Sequence, residues 1–371
     1  MSAALGKPPF RADHVGSLLR PKALLDARVR RQAGQIDAAA LKRAEDQAIR
    51  HAVSLQEQAG LQGVTDGEYR RTYFHVDFLE KLEGVKVTGG MAVKFHRKDS
   101  DLEFAPPKME VSAKLRRTRG IVTDDFAFLK SVTKGIPKIC IPSPTMLHFR
   151  GGRKAVDEKA YPDIEDFFED LARAYREELM ALGDQGCTYV QLDDTNLAYL
   201  CDPAMRERTR AIGEDPDALP RLYADLINRS IAGRPRDMTV CVHLCRGNFQ
   251  SAWVAEGGYE PVAEALFTEL KVDGYFLEYD DERSGDFRPL RFVPKGKTVV
   301  LGLVSSKVPA LEPKDLVKRR IDEAAKFVDM GQLALSPQCG FSSTVEGNRI
   351  TEQDEIAKLG LVVDIAREVW G

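Results

Sequence analysis

Eight short apolar runs, at roughly 11–17, 62–66, 137–142, 188–193, 239–244, 274–279, 298–304 and 333–337, recur along the chain with longer amphipathic stretches between most of them. This alternation constrains the fold more than any single motif does. A short apolar run rich in Val, Ile and Leu has the length of a strand buried on both faces, whereas apolar residues three and four apart have the period of a helix. Helical patterns span Ala38 to Ala59, Ile164 to Leu182, Pro216 to Ser230, Pro261 to Leu270, Pro313 to Asp329 and Thr351 to Trp370. Strands joined through helices run parallel, because the crossover returns the chain to the same edge of the sheet. Eight such units predict an α/β fold, a (β/α)8 TIM barrel, with an open doubly wound sheet as the alternative. The barrel is preferred because no G-x-G-x-x-G fingerprint is present and polar residues cluster after runs near both chain ends.

Residues 83–120 interrupt the alternation. Val85 to Phe95 and Met109 to Leu115 read as a β-hairpin with a charged tip, inserted after the second strand. Loops on that face of a barrel carry the active site, so the insertion reads equally as a lid or as a contact in a homo-oligomer. No Pro/Gly/Ser linker splits the chain, which predicts one domain over residues 1–371. The net charge of −3 offers no basic field for nucleic acid or an anionic membrane. No apolar run approaches the roughly 18 residues of a membrane span and the N-terminus lacks a signal-peptide core, so the expectation is a cytoplasmic protein acting on small molecules.

Six cysteines, at 140, 187, 201, 241, 245 and 339, are too dispersed for a disulfide framework and read as thiols. Cys140 and Cys241 lie within apolar runs and are expected to be packed as small hydrophobes. Val240-Cys241-Val242-His243-Leu244-Cys245 ends the fifth run with an H-x-C pair, and residues 243 and 245 share strand parity, so both can face one ion. Glu278 closes the sixth run, and Cys339 follows the eighth in Ser336-Pro337-Gln338-Cys339-Gly340. In a barrel, strand C-termini converge on one mouth, which would gather an imidazole, two thiols and a carboxylate into a zinc site with soft ligands. Taken singly, each residue has a plainer reading: a satisfied histidine, packed thiols, and a solvated cluster from Glu278 to Arg283.

With Asp13-His14-Val15-Gly16-Ser17, Thr65-Asp66-Gly67-Glu68, Gln191-Leu192-Asp193-Asp194 and the His243, Glu278 and Cys339 segments in this order, the chain resembles the catalytic C-terminal barrel of the cobalamin-independent methionine synthase family. It is more similar still to the short, single-barrel members described as 5-methyltetrahydropteroyltriglutamate–homocysteine methyltransferases. The resemblance covers nearly the whole chain. It implies a Zn2+ methyltransferase of methionine biosynthesis, with His243, Cys245, Glu278 and Cys339 as ligands; on zinc-thiolate chemistry Glu278 is the ligand that could yield its place to the substrate. It also implies that Ser17 holds the carboxylate of a homocysteine-like thiol, while Glu68 and Asp193 accept hydrogen bonds from its ammonium; Asp194 is the weaker candidate.

A methyltetrahydrofolate-type donor is what the resemblance implies, yet two segments depart from the family pattern. Residues 301–309 lack the histidine that assists the folate leaving group, and Ile141 to Phe149 lacks the tryptophan of the folate platform. A corrinoid-bound methyl group, or an epoxide with coenzyme M as the thiol, are the alternatives on the same zinc-thiolate chemistry. A non-catalytic metal- or thiol-binding barrel, or a lyase on the same fold, are the readings from other classes.

Overall fold

Seven of the eight apolar runs form strands in the computed structural model, which describes residues 6–90, 93–96, 101–105 and 107–371. In chain order the strands are β1 (Gly63–Val64), β2 (Glu83–Gly90), β3 (Val93–His96), β4 (Asp101–Phe104), β5 (Pro107–Arg116), β6 (Ile136–Pro137), β7 (Ile139–Pro142), β8 (Tyr189–Asp194), β9 (Thr239–Leu244), β10 (Gly274–Glu278), β11 (Thr298–Val304) and β12 (Leu333–Pro337). Six of them make one parallel sheet in the order β12-β11-β10-β9-β8-β7. β1 pairs with β6 in parallel, and the Lys138 N–H donates to Val64 O at 2.8 Å, carrying that ladder on towards β7.

Side-chain alternation divides the sheet into two faces. Val190, Leu192, Val242, Leu244, Leu277, Leu301 and Leu335 point to one face, in the main hydrophobic core. The helices that follow the strands pack there, among them Ile164–Asp184 through Leu171, Tyr175 and Leu179, and Leu219–Ile231 through Tyr223 and Ile227. On the opposite face, Tyr189, Cys241, Phe276, Val300 and Ala334, from five successive strands, meet Phe10 and Val15 in a second, smaller core. Side chains from such widely separated strands touch one another only if the sheet curls around them. Burying the Lys138 ammonium in this core is offset by its 3.2 Å ion pair to Asp13 and by the faces of Tyr189 and Phe276.

The first run differs from expectation. Residues 11–17 form no strand; Ala12 makes a single parallel bridge to Leu335. The polar groups that a ladder would need are engaged locally or by distant side chains. The Asp13 carboxylate accepts from the N–H groups of Phe10 (3.0 Å) and His14 (2.8 Å). The carbonyls of His14, Val15 and Gly16 accept from Lys138 Nζ, Gln191 Nε2 and Thr65 Oγ1 at 2.6 Å each. Among the described residues no strand pairing joins this segment to β1, although the Leu18 N–H reaches Gly67 O at 3.1 Å.

Helix boundaries follow local chemistry. Asp163 caps Ile164–Asp184 by accepting from the Glu165 N–H, and Thr351 with Asp354 forms a capping box at the start of Glu352–Trp370. The expected Pro261–Leu270 helix is instead a 3-10 turn at Glu260–Val262 followed by a wide π turn at Ala265–Glu269. Thr268 Oγ1 bonds the Glu264 carbonyl at 2.6 Å there, competing with the regular backbone pattern. Helices at Lys22–Gln32, Thr123–Val132 and Pro203–Ala211 are additional to those the periodicity indicates. Among the described residues, no helix is long and apolar enough to cross a membrane.

Within 83–120, β2 pairs antiparallel with β5, and β3 with β4. Residues 91–92, 97–100 and 106 of that segment, and 1–5 at the N-terminus, lie outside the described residues. The His96 N–H donates to Trp253 O (2.6 Å) and the Trp253 N–H to His96 O (2.9 Å), which ties the inner strand pair to the loop after β9.

Candidate metal centre

His243, Gln191 with Asp193, and Glu278 extend, strand by strand, the inward stacks that begin with Cys241, Tyr189 and Phe276. The same parity that fills the inner core with apolar side chains therefore delivers polar ones at the C-terminal ends of the strands. Cys245 lies just past β9 and Cys339 just past β12.

The ligand atoms of His243, Cys245, Glu278 and Cys339 all lie within 4.8 Å of one another, and all four residues are buried. The two sulfurs are 3.3 Å apart. In this pair the Cys245 thiol, hydrogen-bonded to its neighbour, is pushed well above its ordinary pKa, while the same bond holds Cys339 well below, so one proton serves two sulfurs. Burial pulls His243 down, but the Cys339 thiolate and the charges of Asp193 and Glu278 outweigh it and hold the imidazole above its usual value. Burial pushes Glu278 up, yet Lys307, Arg283, His243 and the Arg246 N–H together keep its carboxyl below the ordinary range.

These residues fit a zinc ion. Neither ring nitrogen of the buried His243 has a hydrogen-bond partner, which costs free energy unless an ion or another group meets one of them. Bonds of about 2.0–2.3 Å in a tetrahedron place donor atoms roughly 3.3–3.8 Å apart, within the spread seen here. Two sulfurs with an imidazole and a carboxylate are a donor set that suits zinc over a hard cation. Glu278 has donors on both oxygens, from the Arg246 N–H (2.8 Å) and Gln338 Nε2 (3.1 Å), and a carboxylate keeps further lone pairs for a metal.

The other three expected residues converge on the same place. Ser17, Glu68, Asp193, His243, Cys245 and Cys339 line one cavity of ≈ 20 Å³, about the room of a single water, which Phe74 and Ser343 help to close. Glu68, Asp193 and Cys140 also hold their ligand atoms within 4.8 Å of each other. Burial raises Glu68 to about 8, against the pull of Arg71, and raises Asp193 to about 6, against the pull of His243. Glu68 Oε2 has no hydrogen-bond donor, and its backbone φ is +60°, an unfavourable conformation for a residue with a side chain. Arg71 Nη1 lies 3.7 Å from that oxygen, and a buried pair of carboxylates is a kind of site that can take a further cation. Asp194 takes no part: it accepts from Thr145 Oγ1 (2.5 Å) and the Leu197 N–H (2.8 Å), a role in bracing the loop after β8.

Several surrounding residues were not indicated by sequence patterns. Lys307, 6% exposed, donates to Asn248 Oδ1 at 3.1 Å, and its charge acts on Glu278 and Cys245. Arg246 is fully buried over the Tyr259 ring, 4.5 Å from its centroid. Both lie in loops after strands, where a lone Lys or Arg reads as a solvated charge, so no local signal distinguished them.

The cobalamin-independent synthase catalytic domain matches residues 10–368. The chain is 48% identical over 367 residues to the uncharacterized protein YxjH of Bacillus subtilis (strain 168), covering 98% of this chain and 96% of the relative. It is 26% identical over 332 residues to a methionine synthase of Pyrococcus abyssi, covering 88% and 84% respectively. Among solved structures, a candidate vitamin-B12-independent methionine synthase from Listeria monocytogenes superposes with a TM-score of 0.79 at 36% identity over 99% of both chains. Its α/β fold is therefore that of methionine synthase catalytic domains, and the chain belongs to the cobalamin-independent methionine synthase catalytic-domain family.

Proposed function

We propose that this protein is a zinc-dependent S-methyltransferase that methylates homocysteine, or a closely similar amino-acid thiol, to give methionine. The observation that carries this reading is the single cavity lined both by a soft donor set and by a buried carboxylate pair. His243, Cys245, Glu278 and Cys339 would hold the ion, and Ser17, Glu68 and Asp193 the amino-acid end. Relatives described as methionine synthases support the same reaction. The fold is taken as one (β/α)8 domain. The parallel order β1-β6/β7-β8-β9-β10-β11-β12, the Ala12–Leu335 bridge and the inward core support closure through residues 12–18.

A bound zinc ion supplies the means of keeping a substrate thiol ionised at neutral pH, where a free alkyl thiol of pKa about 8.5 is only roughly 3% thiolate. The protein's part is positioning and charge balance. Glu68 and Asp193 fix the ammonium, which leaves the side-chain sulfur directed at the cysteine pair. The two thiolates and Glu278 bring three negative charges, and the substrate sulfur a fourth; Lys307, Arg283 and Arg246 surround them with buried cations. The thiolate sulfur then forms a C–S bond as the methyl group leaves its donor, with the bonding electron pair departing on the donor and the thiol proton released to solvent.

Cobalt substitution tests the acceptor half independently of the donor. Homocysteine added to the Co2+-loaded protein at neutral pH should release about two protons, one from its thiol and one from Glu68, and strengthen the thiolate-to-metal absorption band. No spectral change and no proton release would overturn the proposal. Incubation of the zinc-loaded protein with homocysteine and either methyltetrahydropteroyl-triglutamate or methylcobalamin then separates the donors.

A further inference from the structure

A second group of metal-ligating side chains adjoins the four residues assigned to the zinc ion. Cys140 on β7 is the register partner of Gln191 on β8, two residues before Asp193, so strand parity turns Cys140, Gln191 and Asp193 to the same inward side. Glu68 reaches them from the loop after β1. The Cys140 sulfur and one carboxylate oxygen each of Glu68 and Asp193 lie within 4.8 Å of one another, and the three residues are only 3%, 3% and 6% exposed. Gly16 makes room for them: a Cβ there would stand 2.5 Å from Cys140 Sγ and 3.6 Å from Glu68 Oε1.

This group is rich in acceptors and short of donors. Glu68 Oε2 meets no donor, and neither does Gln191 Oε1, although Gln191 Nε2 donates to Asp193 Oδ1 at 2.6 Å. Arg71 holds its Nη1 3.7 Å from Glu68 Oε2, too far for a hydrogen bond, and turns Nη2 to the Cys140 carbonyl. The Cys140 thiol points at the Val15 carbonyl, 3.1 Å away. Buried oxygens left without donors cost free energy, and a cation placed among them removes that cost.

We propose that Cys140, Glu68 and Asp193 form a second site for a borderline divalent cation such as zinc or cobalt, open while no amino acid is bound and closed when one is. The site itself stands on these three side chains; its competition with an amino acid rests on the ammonium role proposed above. One sulfur with two carboxylate oxygens suits zinc or cobalt over magnesium or calcium. Bonds of about 2.0–2.3 Å put such donors roughly 3.3–3.8 Å apart, inside the observed spread. A divalent ion needs less space than the single water that the ≈ 20 Å³ cavity admits. With three anionic donors to each ion, the repulsion between two dications on neighbouring strands is offset. Binding exchanges the Cys140 S–H, and any proton on the carboxyl groups, for bonds to the metal, with the protons released to solvent. Having no imidazole and one sulfur in place of two, this site should hold its ion more weakly than the first and lose it during purification.

The test titrates Co2+ into full-length protein that already carries one equivalent of zinc. One further equivalent should bind, at least tenfold more weakly than cobalt binds the metal-free first site, with about half the thiolate-to-cobalt absorption of that two-cysteine site. Cys140→Ala should abolish this absorption, and Asp193→Asn should weaken the second equivalent at least tenfold. The first zinc, retained in both, reports folding; if one variant does not fold, the other decides. L-Norleucine, which has the amino-acid end without a thiol, should displace the second cobalt, whereas D-norleucine, an equal chelator of free metal, should be at least tenfold less effective. A stoichiometry of one, a second equivalent without thiolate absorption, or one indifferent to both substitutions would overturn the inference. Because no turnover is needed, the two proposals fail separately. Cobalt held through Cys140 but unmoved by norleucine keeps the second site and removes its competition together with the ammonium role; a homocysteine response at the first ion with no second equivalent keeps the reaction and removes this site.

Discussion

Asp193 on β8 and His243 on β9 are register partners in the parallel sheet, directly opposite one another. Neighbouring strands lie about 4.8 Å apart, close to the span between the amino nitrogen and the sulfur of an extended homocysteine. One residue marks the proposed ammonium site and the other the proposed metal. The imidazole is also the foremost charge opposing the upward shift of the Asp193 carboxyl. Thus the pleat of two adjacent strands sets the separation between the proposed ammonium site and the proposed metal.

Loss of either sulfur should empty the metal site. Cys245→Ser and Cys339→Ser are each expected to lower zinc from about one equivalent to below about a tenth, measured by plasma mass spectrometry after purification under reducing conditions. Cys241→Ser, four residues before Cys245 but in the inner core, should keep its zinc. Equal zinc in all three variants would sink the ligand assignment.

Homocysteine binding should be coupled to proton release. Glu68, raised to about 8, is mostly protonated in the free protein at neutral pH, whereas an ammonium group requires its carboxylate. Binding should therefore tighten as pH rises from about 6 towards 8. Calorimetry in buffers of different ionisation heat measures the protons released. Glu68→Gln should raise KM by about tenfold or more with zinc retained; an unchanged KM excludes this role.

Stability should fall with alkalinity through Glu355. This buried carboxyl accepts from the Leu19 N–H at 3.0 Å, and burial raises it to about 8. A carboxyl whose folded pKa exceeds its unfolded one stabilises the protein fully below the unfolded value, and that contribution is lost as pH rises through the folded value. Glu355→Gln should therefore melt higher, relative to the parent, at about pH 8.5 than at about pH 5. Parallel melting curves across that range would contradict the assignment.

Gly340 should tolerate no side chain without a functional cost. A Cβ there would sit 1.9 Å from Ser17 Oγ, so the serine must move. Gly340→Ala is expected to raise KM for the thiol substrate by about tenfold, from loss of one or two contacts to its carboxylate, without changing zinc content. If KM holds and folding is intact, Ser17 does not bind the substrate.

The sequence alone carried the strand and helix alternation, because burial on both sheet faces imposes long apolar runs and an amphipathic helix imposes its period. It also carried His243 and Cys245, which strand parity aligns, and Glu278 at a strand end, whereas Ser17, Glu68 and Asp193 were indicated only by the family resemblance. Tertiary structure decided the rest. Residues 11–17 stand where a first strand is expected, yet Lys138, Gln191 and Thr65 take the carbonyls of His14, Val15 and Gly16, and those partners lie 49 to 176 positions away. Lys307, Arg246 and Arg150 look like ordinary surface charges until loops from different strands enclose them. The apolar pocket lined by Val93, Phe149, Tyr199 and Val254 likewise exists only where β3 meets the loops after β7, β8 and β9. Local periodicity records which face a residue takes; which distant group then meets it is set by how the sheet curls and where its loops converge.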